Sequence, residues 1–317
     1  MLRRCVVAII LAVALAFSHA HAQTYPAKYI RIVTAGVGGG NDWLSRLIAQ
    51  GITGPLGQPV IVENRGGGVI PGEVVARAPA DGYTLLVMSG GLWIGQLLRK
   101  TPYDVLRDFV PITLADRAPN IVVVHPSVPV QSIRELIALA KARPGMLNYS
   151  SAGTASSSHL SGELFCALTG VRMVNIQYKN NSQETVDLMA GNVQLAFATA
   201  SVVIPQVKAG KLRALAVTSA QPSALAPDLP TVASAGVSGY ESESLHAVFA
   251  PAGTADAIVR RLNGEIVKLL KAPGMREQFV AAGVEAVGTS PEELAALVRS
   301  EIARWSAVIR QAGIHAE

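Results

Sequence analysis

The chain has 317 residues, half of them hydrophobic and only 15% charged, with a formal net charge of +5. Its basic residues form no run and do not alternate with aromatics, which argues against a nucleic-acid partner. No stretch approaches the roughly 20 apolar residues needed to span a bilayer, and a chain of this length can bury a sizeable core without cross-links.

Met1-Leu-Arg-Arg4 is a positive n-region, Val6 to Phe17 an apolar h-region, and Ala20-His-Ala22 a small-x-small cleavage pattern. The sequence therefore predicts an exported protein whose leader is residues 1–22 and whose mature chain starts at Gln23. Without Arg3 and Arg4, 25 basic residues remain against 22 acidic, a net of +3. Cys5 falls inside the leader, so Cys166 is the one thiol of the mature chain and no internal disulfide is expected.

Taken in order, Tyr29 to Val33 reads as a buried strand. Thr34-Ala-Gly-Val-Gly-Gly-Gly-Asn-Asp42 is a glycine-rich turn, and Trp43 onward has helical apolar spacing. Glycines at 36, 38, 39 and 40 let the backbone turn and approach a ligand closely. Asn41 and Asp42 suit the helix cap and first turn. Unpaired N–H groups at that positive helix end favour an anion by about 0.3–1 kcal/mol from the dipole alone. Val60 to Val62 and Tyr83 to Met88 are further strands, the second ending in Ser89-Gly-Gly91. Strands alternating with helices predict a doubly wound, mainly parallel sheet, with ligands outside the strands' carboxyl ends.

Phe109 to Leu114 and Asn120 to Val124 read as two more strands. Ser132 and Glu135 form a capping box for a helix through Ala142. A second strand–turn–helix unit follows: Leu147 to Tyr149, the hydroxyl-rich Ser150 to Ser158, and a helix from His159 to Leu168. Strands at 173–176, 193–197 and 212–217 complete a second series. Tyr240 to Ala250 looks extended and returns the chain to the first series. Helices at 255–271, 275–282 and 291–311 are expected to pack there. The organisation expected is lobe 1 at 23–124 plus 248–317 and lobe 2 at 125–247. Two small-residue cradles then face one interlobe cleft.

Several segments taken together resemble the tripartite tricarboxylate transporter substrate-binding proteins, or Bug family. They include Tyr25-Pro26, Gly38-Gly-Gly-Asn-Asp42 with Arg46, Leu56-Gly-Gln-Pro-Val-Ile-Val-Glu-Asn-Arg65 and Ala80-Asp-Gly-Tyr-Thr-Leu85. Later come Leu147-Asn-Tyr149, Ser156-Ser-Ser-His-Leu160, Gln177-Tyr-Lys179, Pro227-Asp-Leu-Pro-Thr-Val232 and Phe249-Ala-Pro-Ala-Gly253. The resemblance covers nearly all of the mature chain. It implies a two-lobed periplasmic-binding-protein-like fold and a non-enzymatic carrier that closes on a small organic carboxylate. It also implies delivery to the large and small membrane subunits of a permease, by a monomer with no cofactor and no metal. Carried over by motif position, the contacts would be Gly39, Gly40, Asn41 and Asp42 in lobe 1. Thr154, Ala155, Ser156 and Ser158 would face them from lobe 2. Ser89, Ser201 and Tyr178 are further pocket candidates from their places at strand ends. Two departures fall near the pocket: Thr34-Ala-Gly-Val37 replaces the familiar first turn, and Asn180-Asn181 replaces a Gly-Gly.

Other chemistries fit less well. Gly36-Val-Gly38 follows a strand, but the third glycine of a dinucleotide fingerprint is Asn41. No G-x-S-x-G elbow occurs, and adjacent Ser158 and His159 do not by themselves make a nucleophile. His159 and Glu163 lie four apart, yet the zinc motif H-E-x-x-H is absent. Asp42 would repel an anionic ligand and suits a structural role near the helix start, possible amino-bearing ligands excepted. Trp43 and Trp93 read as core or pocket wall. A sensing module that passes its ligand to a signalling receptor is the alternative to transport, and an exported hydrolase a third reading.

Overall fold

The computed structural model describes residues 25–66, 68–153, 156–178 and 181–312. The leader expected at 1–22 and the candidate contacts Thr154 and Ala155 lie outside the described residues.

The first sheet starts from three short apolar strands, β1 (Ile30–Thr34), β2 (Val60–Asn64) and β3 (Thr84–Ser89), all parallel. β1 lies between the other two, in register Ile30 to Val60 and Arg31 to Thr84. Helices α1 (Gly40–Leu56) and α2 (Ile70–Ala76) make the crossovers. Helices α3 (Gly91–Leu98) and α4 (Val105–Asp108) then lead to the long strand β4 (Phe109–Val124). Ile30, Ile32, Leu44, Ile48, Leu85 and Val87 form one buried core between this sheet and α1.

The second series contains α5 (Ile133–Ala142), β5 (Asn148–Ser151), α6 (Ser157–Thr169), β6 (Val174–Gln177) and α7 (Asn181–Ala190). It continues with β7 (Leu195–Thr199), α8 (Ala200–Lys208) and β8 (Arg213–Val217). β5 pairs in parallel with both β6 and β7. Ser132 and Glu135 make the expected capping box on α5. The Glu135 N–H donates to Ser132 Oγ at 3.2 Å, and the Gln131 N–H donates to Glu135 Oε2 at 2.7 Å. The return runs through β9 (Glu243–Pro251), α9 (Asp256–Leu270), α10 (Met275–Ala281), β10 (Glu285–Ala286) and α11 (Pro291–Ala312).

One strand belongs to both sheets. Residues Phe109 to Pro119 of β4 pair antiparallel with β9, and Asn120 to Val124 pair with β7 and β8. The sequence reads as two separate strands here, Phe109 to Leu114 and Asn120 to Val124. The structure runs them together. Asp116 is buried and bound to His246, and two bulges absorb the irregularity. The returning chain crosses beside it. The Thr218 N–H donates to Asn120 O, and the Ser242 N–H donates to Thr218 O, each at 2.9 Å. Asn120 Nδ2 also donates to Ser161 Oγ, whose hydroxyl donates to Ser242 Oγ. Both passages between the sheets are therefore stitched to each other by buried polar groups.

The C-terminal helices divide. Val259, Leu262 and Ile266 of α9 join the core of the first sheet, as expected. By contrast, α11 touches α3 of the first series and α6 of the second as well as β4. Its Trp305 is buried in a core that also holds Trp93, Phe165, Phe197 and Tyr240.

Candidate functional site

A cavity of about 620 Å³ lies where the carboxyl ends of strands from both series meet. Its first wall is the glycine turn. After β1, Gly38 takes φ +86, a left-handed conformation that suits glycine, and the extended Gly39 is the residue before the helix. No side chain caps α1. The cap expected at Asn41 or Asp42 is thus displaced to Gly39, and α1 starts at Gly40. The first-turn N–H groups, which have no intrahelical acceptors, are left to face the cavity lined by Gly38, Gly39, Gly40 and Asn41.

Asp42 is absent from the cavity wall. It is 4% exposed, and its carboxylate accepts from the Gly38 N–H at 3.0 Å and from Asn64 Nδ2 at 2.8 Å, while Arg46 pairs with it at 3.0 Å. Burial opposes its charge, but these partners outweigh burial and hold the carboxyl below the usual range. Asp42 therefore braces the turn. Arg46 also donates to Asn64 Oδ1, so it orients the brace.

The second wall is the start of α6. Ser156 Oγ accepts from the His159 N–H at 3.2 Å, and Ser158 Oγ accepts from the Ala152 N–H at 3.1 Å. The two hydroxyls share one hydrogen bond of 3.1 Å. One of their two protons is used between them, and the other has no acceptor among the described residues. Both serines line the cavity.

Ser89, Gly90 and Gly91 bring a third helix start, that of α3, to the same cavity, and Thr199 and Val202 bring α8. Ser201 lies between those last two in sequence, though its side chain is outside the described residues. Tyr178 is displaced from the expected pocket. Its hydroxyl donates to Asp187 at 2.8 Å, and burial with that carboxylate pushes its pKa up to about 12. Trp43 lines the cavity and meets Phe279 edge-on at 5.1 Å, whereas Trp93 is fully buried in the core. Glu163 accepts from the Tyr149 hydroxyl at 2.5 Å. Among the described residues no group of three His, Cys, Asp or Glu side chains comes together as a metal site.

Three lining residues are not visible as a motif. His246, on β9, is 8% exposed, and its Nδ1 lies 2.6 Å from Asp116 Oδ1. Burial disfavours its charged form, but the Asp116 carboxylate more than compensates and raises its pKa. Nε2 points toward the glycine turn: a Cβ built on Gly40 would sit 3.1 Å from it. Glu184, on α7, is 7% exposed and accepts from Ser150 Oγ at 2.9 Å. Burial is the larger influence and raises its pKa despite that bond. Glu243 also lines the cavity, and burial with neighbouring carboxylates pushes it up to about 7 although Arg117 acts against this. None of these side chains belongs to a turn motif, so only strand register and helix packing could reveal them.

Among the described residues no helix is long and apolar enough to cross a membrane. The chain is 37% identical to the protein BugT of Bordetella pertussis over 298 residues, covering 92% of this chain and 91% of that one. Solved R. palustris Rpa4515 with adipate is 37% identical, with a TM-score of 0.82 and coverage of 92% and 99%. MatC from Rhodopseudomonas palustris with bound malate is 28% identical, with a TM-score of 0.79 and coverage of 90% and 100%. Such agreement along nearly the whole length establishes the two-lobed binding-protein fold. Residues 44–314 match the model of the tripartite tricarboxylate transporter family receptor, and the chain belongs to that family of solute-binding receptors.

Proposed function

We propose that this receptor captures a small organic carboxylate between its lobes, in the periplasm and as a monomer, and delivers it to the membrane subunits of a tripartite permease. It performs no chemistry on the guest. The observation that carries this reading is the sharing of one cavity by two unlike walls: the uncapped start of α1 and the hydroxyls at the start of α6. Backbone N–H groups and a helix dipole recognise a carboxylate without a charged side chain, and the site contains no lysine or arginine among the described residues. The lobes in this reading are residues 23–124 plus 248–317 and residues 125–247, and the pairing of β4 changes from β9 to β7 between Pro119 and Asn120, near the first of these boundaries. The bound adipate and malate of the two relatives agree with this class of guest.

A thermal-shift screen of mono-, di- and tricarboxylates tests the reading. A carboxylate at a hundred times its dissociation constant should add about 2.7 kcal/mol to stability. Replacing Ser158 by Ala should weaken its binding by about 0.5–1.5 kcal/mol. Stabilisation by neutral sugars alone would sink the proposal, and unchanged affinity in Ser158→Ala would move the site away from α6.

A further inference from the structure

The charges around the cavity are unusual for a site that takes only an anion. Two carboxyl side chains line it, Glu184 and Glu243, and among the described residues no lysine or arginine does. Glu184 is more than nine-tenths buried, held by Ser150 Oγ, and among the described residues no lysine or arginine forms an ion pair with it. A buried carboxylate lacking a cation is costly, and a bound cation relieves that cost. A second acceptor is also waiting: Asn41 Oδ1 is buried and has no hydrogen-bond partner. The opposite polarity comes from another part of the lining. His246, its Nδ1 tied to Asp116, aims Nε2 at Gly40, beside the open N–H groups of α1.

We infer that the guest is amphoteric: a carboxylate that also carries a protonated amine, with the carboxylate held by the α1 turn and His246 Nε2 and the ammonium by Glu184. This rests on the carboxylate-receptor reading and narrows it. The ammonium donates to the Glu184 carboxylate, and Asn41 Oδ1 is a further hydrogen-bond acceptor in the cavity wall. A simple dicarboxylate would instead bring its second negative charge toward the Glu184 and Glu243 carboxyls with no cation to separate them. Burial raises the Glu184 pKa in the absence of a cation, and a bound ammonium would draw it back down.

Matched pairs test this by titration calorimetry and thermal shift on the purified protein: succinate against γ-aminobutyrate, glutarate against 5-aminovalerate, and adipate against ε-aminocaproate, with butylamine as the amine alone. The expected result is that the amino member of at least one pair binds roughly tenfold to a hundredfold more tightly than its diacid, the value of a hydrogen bond to a charged group. Glu184→Gln, which keeps the shape and the bond to Ser150, should erase that preference by weakening the amino member tenfold to a hundredfold. If the diacids bind better throughout, the amphoteric assignment is overturned and the carboxylate reading survives. If neither acids nor amino acids bind, or butylamine alone does, both fall. A preference that persists unchanged in Glu184→Gln and Glu184→Ala would remove Glu184 from the site. The wild-type comparison decides the guest's class even if a variant fails to fold.

Discussion

Asp42 stands in the first turn of α1, beside the proposed anion site, where Gly38, Asn64 and Arg46 hold its carboxylate. Glu243 has no such set of partners. Its pKa rises from 4.5 to about 7 on folding, so it releases its proton more reluctantly in the folded state than in the unfolded chain. The resulting penalty is absent below pH 4.5, grows as the pH rises toward about 7, and is complete above that. Glu243→Gln should therefore stabilise the protein at pH 8 by on the order of 1–2 kcal/mol and leave it unchanged at pH 4. Urea unfolding at the two pH values measures this, and an equal effect at both would refute the assignment. Residues of this kind are hard to read from sequence. The glycines and serines of the two turns announce themselves by clustering. His246, Glu184 and Glu243 are single polar residues whose roles depend on which strand lies opposite and which way a helix faces.

At the scale of elements, α1 shows how a helix can be weakened for the sake of its open end. Alanine at the first helical position would ordinarily favour the helix by up to about 1 kcal/mol over glycine. A methyl group on Gly40, however, would lie 3.1 Å from His246 Nε2, in the space between the imidazole and the N–H row. Gly40→Ala should therefore lose to this contact the stability that helix propensity would add, and weaken carboxylate binding at least several-fold. A loss of stability with unchanged affinity would show that the glycine serves the fold alone. The strand–turn–helix units were legible because buried strands and small-residue turns differ so sharply in composition. The join within β4 was not, since nothing in Asp116-Arg-Ala-Pro119 reveals that the aspartate has a buried partner 130 residues away.

For the molecule as a whole, the two passages between the sheets lie side by side, linked through Asn120, Thr218 and Ser242. A guest that touches both walls stabilises whichever state brings them together. Saturating carboxylate should accordingly reduce the radius of gyration measured by small-angle scattering, and an unchanged value would argue for a rigid pocket. The binding-protein fold class was readable from the two strand–turn–helix series and the extended return at Tyr240 to Ala250, but the reach of the last helix was not. Its apolar face looks alike whether it covers one lobe or two.

That last helix has a consequence for traffic. Because α11 lies against α3 and α6 together and sets Trp305 into the cavity wall, it backs the cleft like a spine behind the covers of a book. Under the proposed carrier function the covers part on the side away from the spine, so the guest enters and leaves by one mouth.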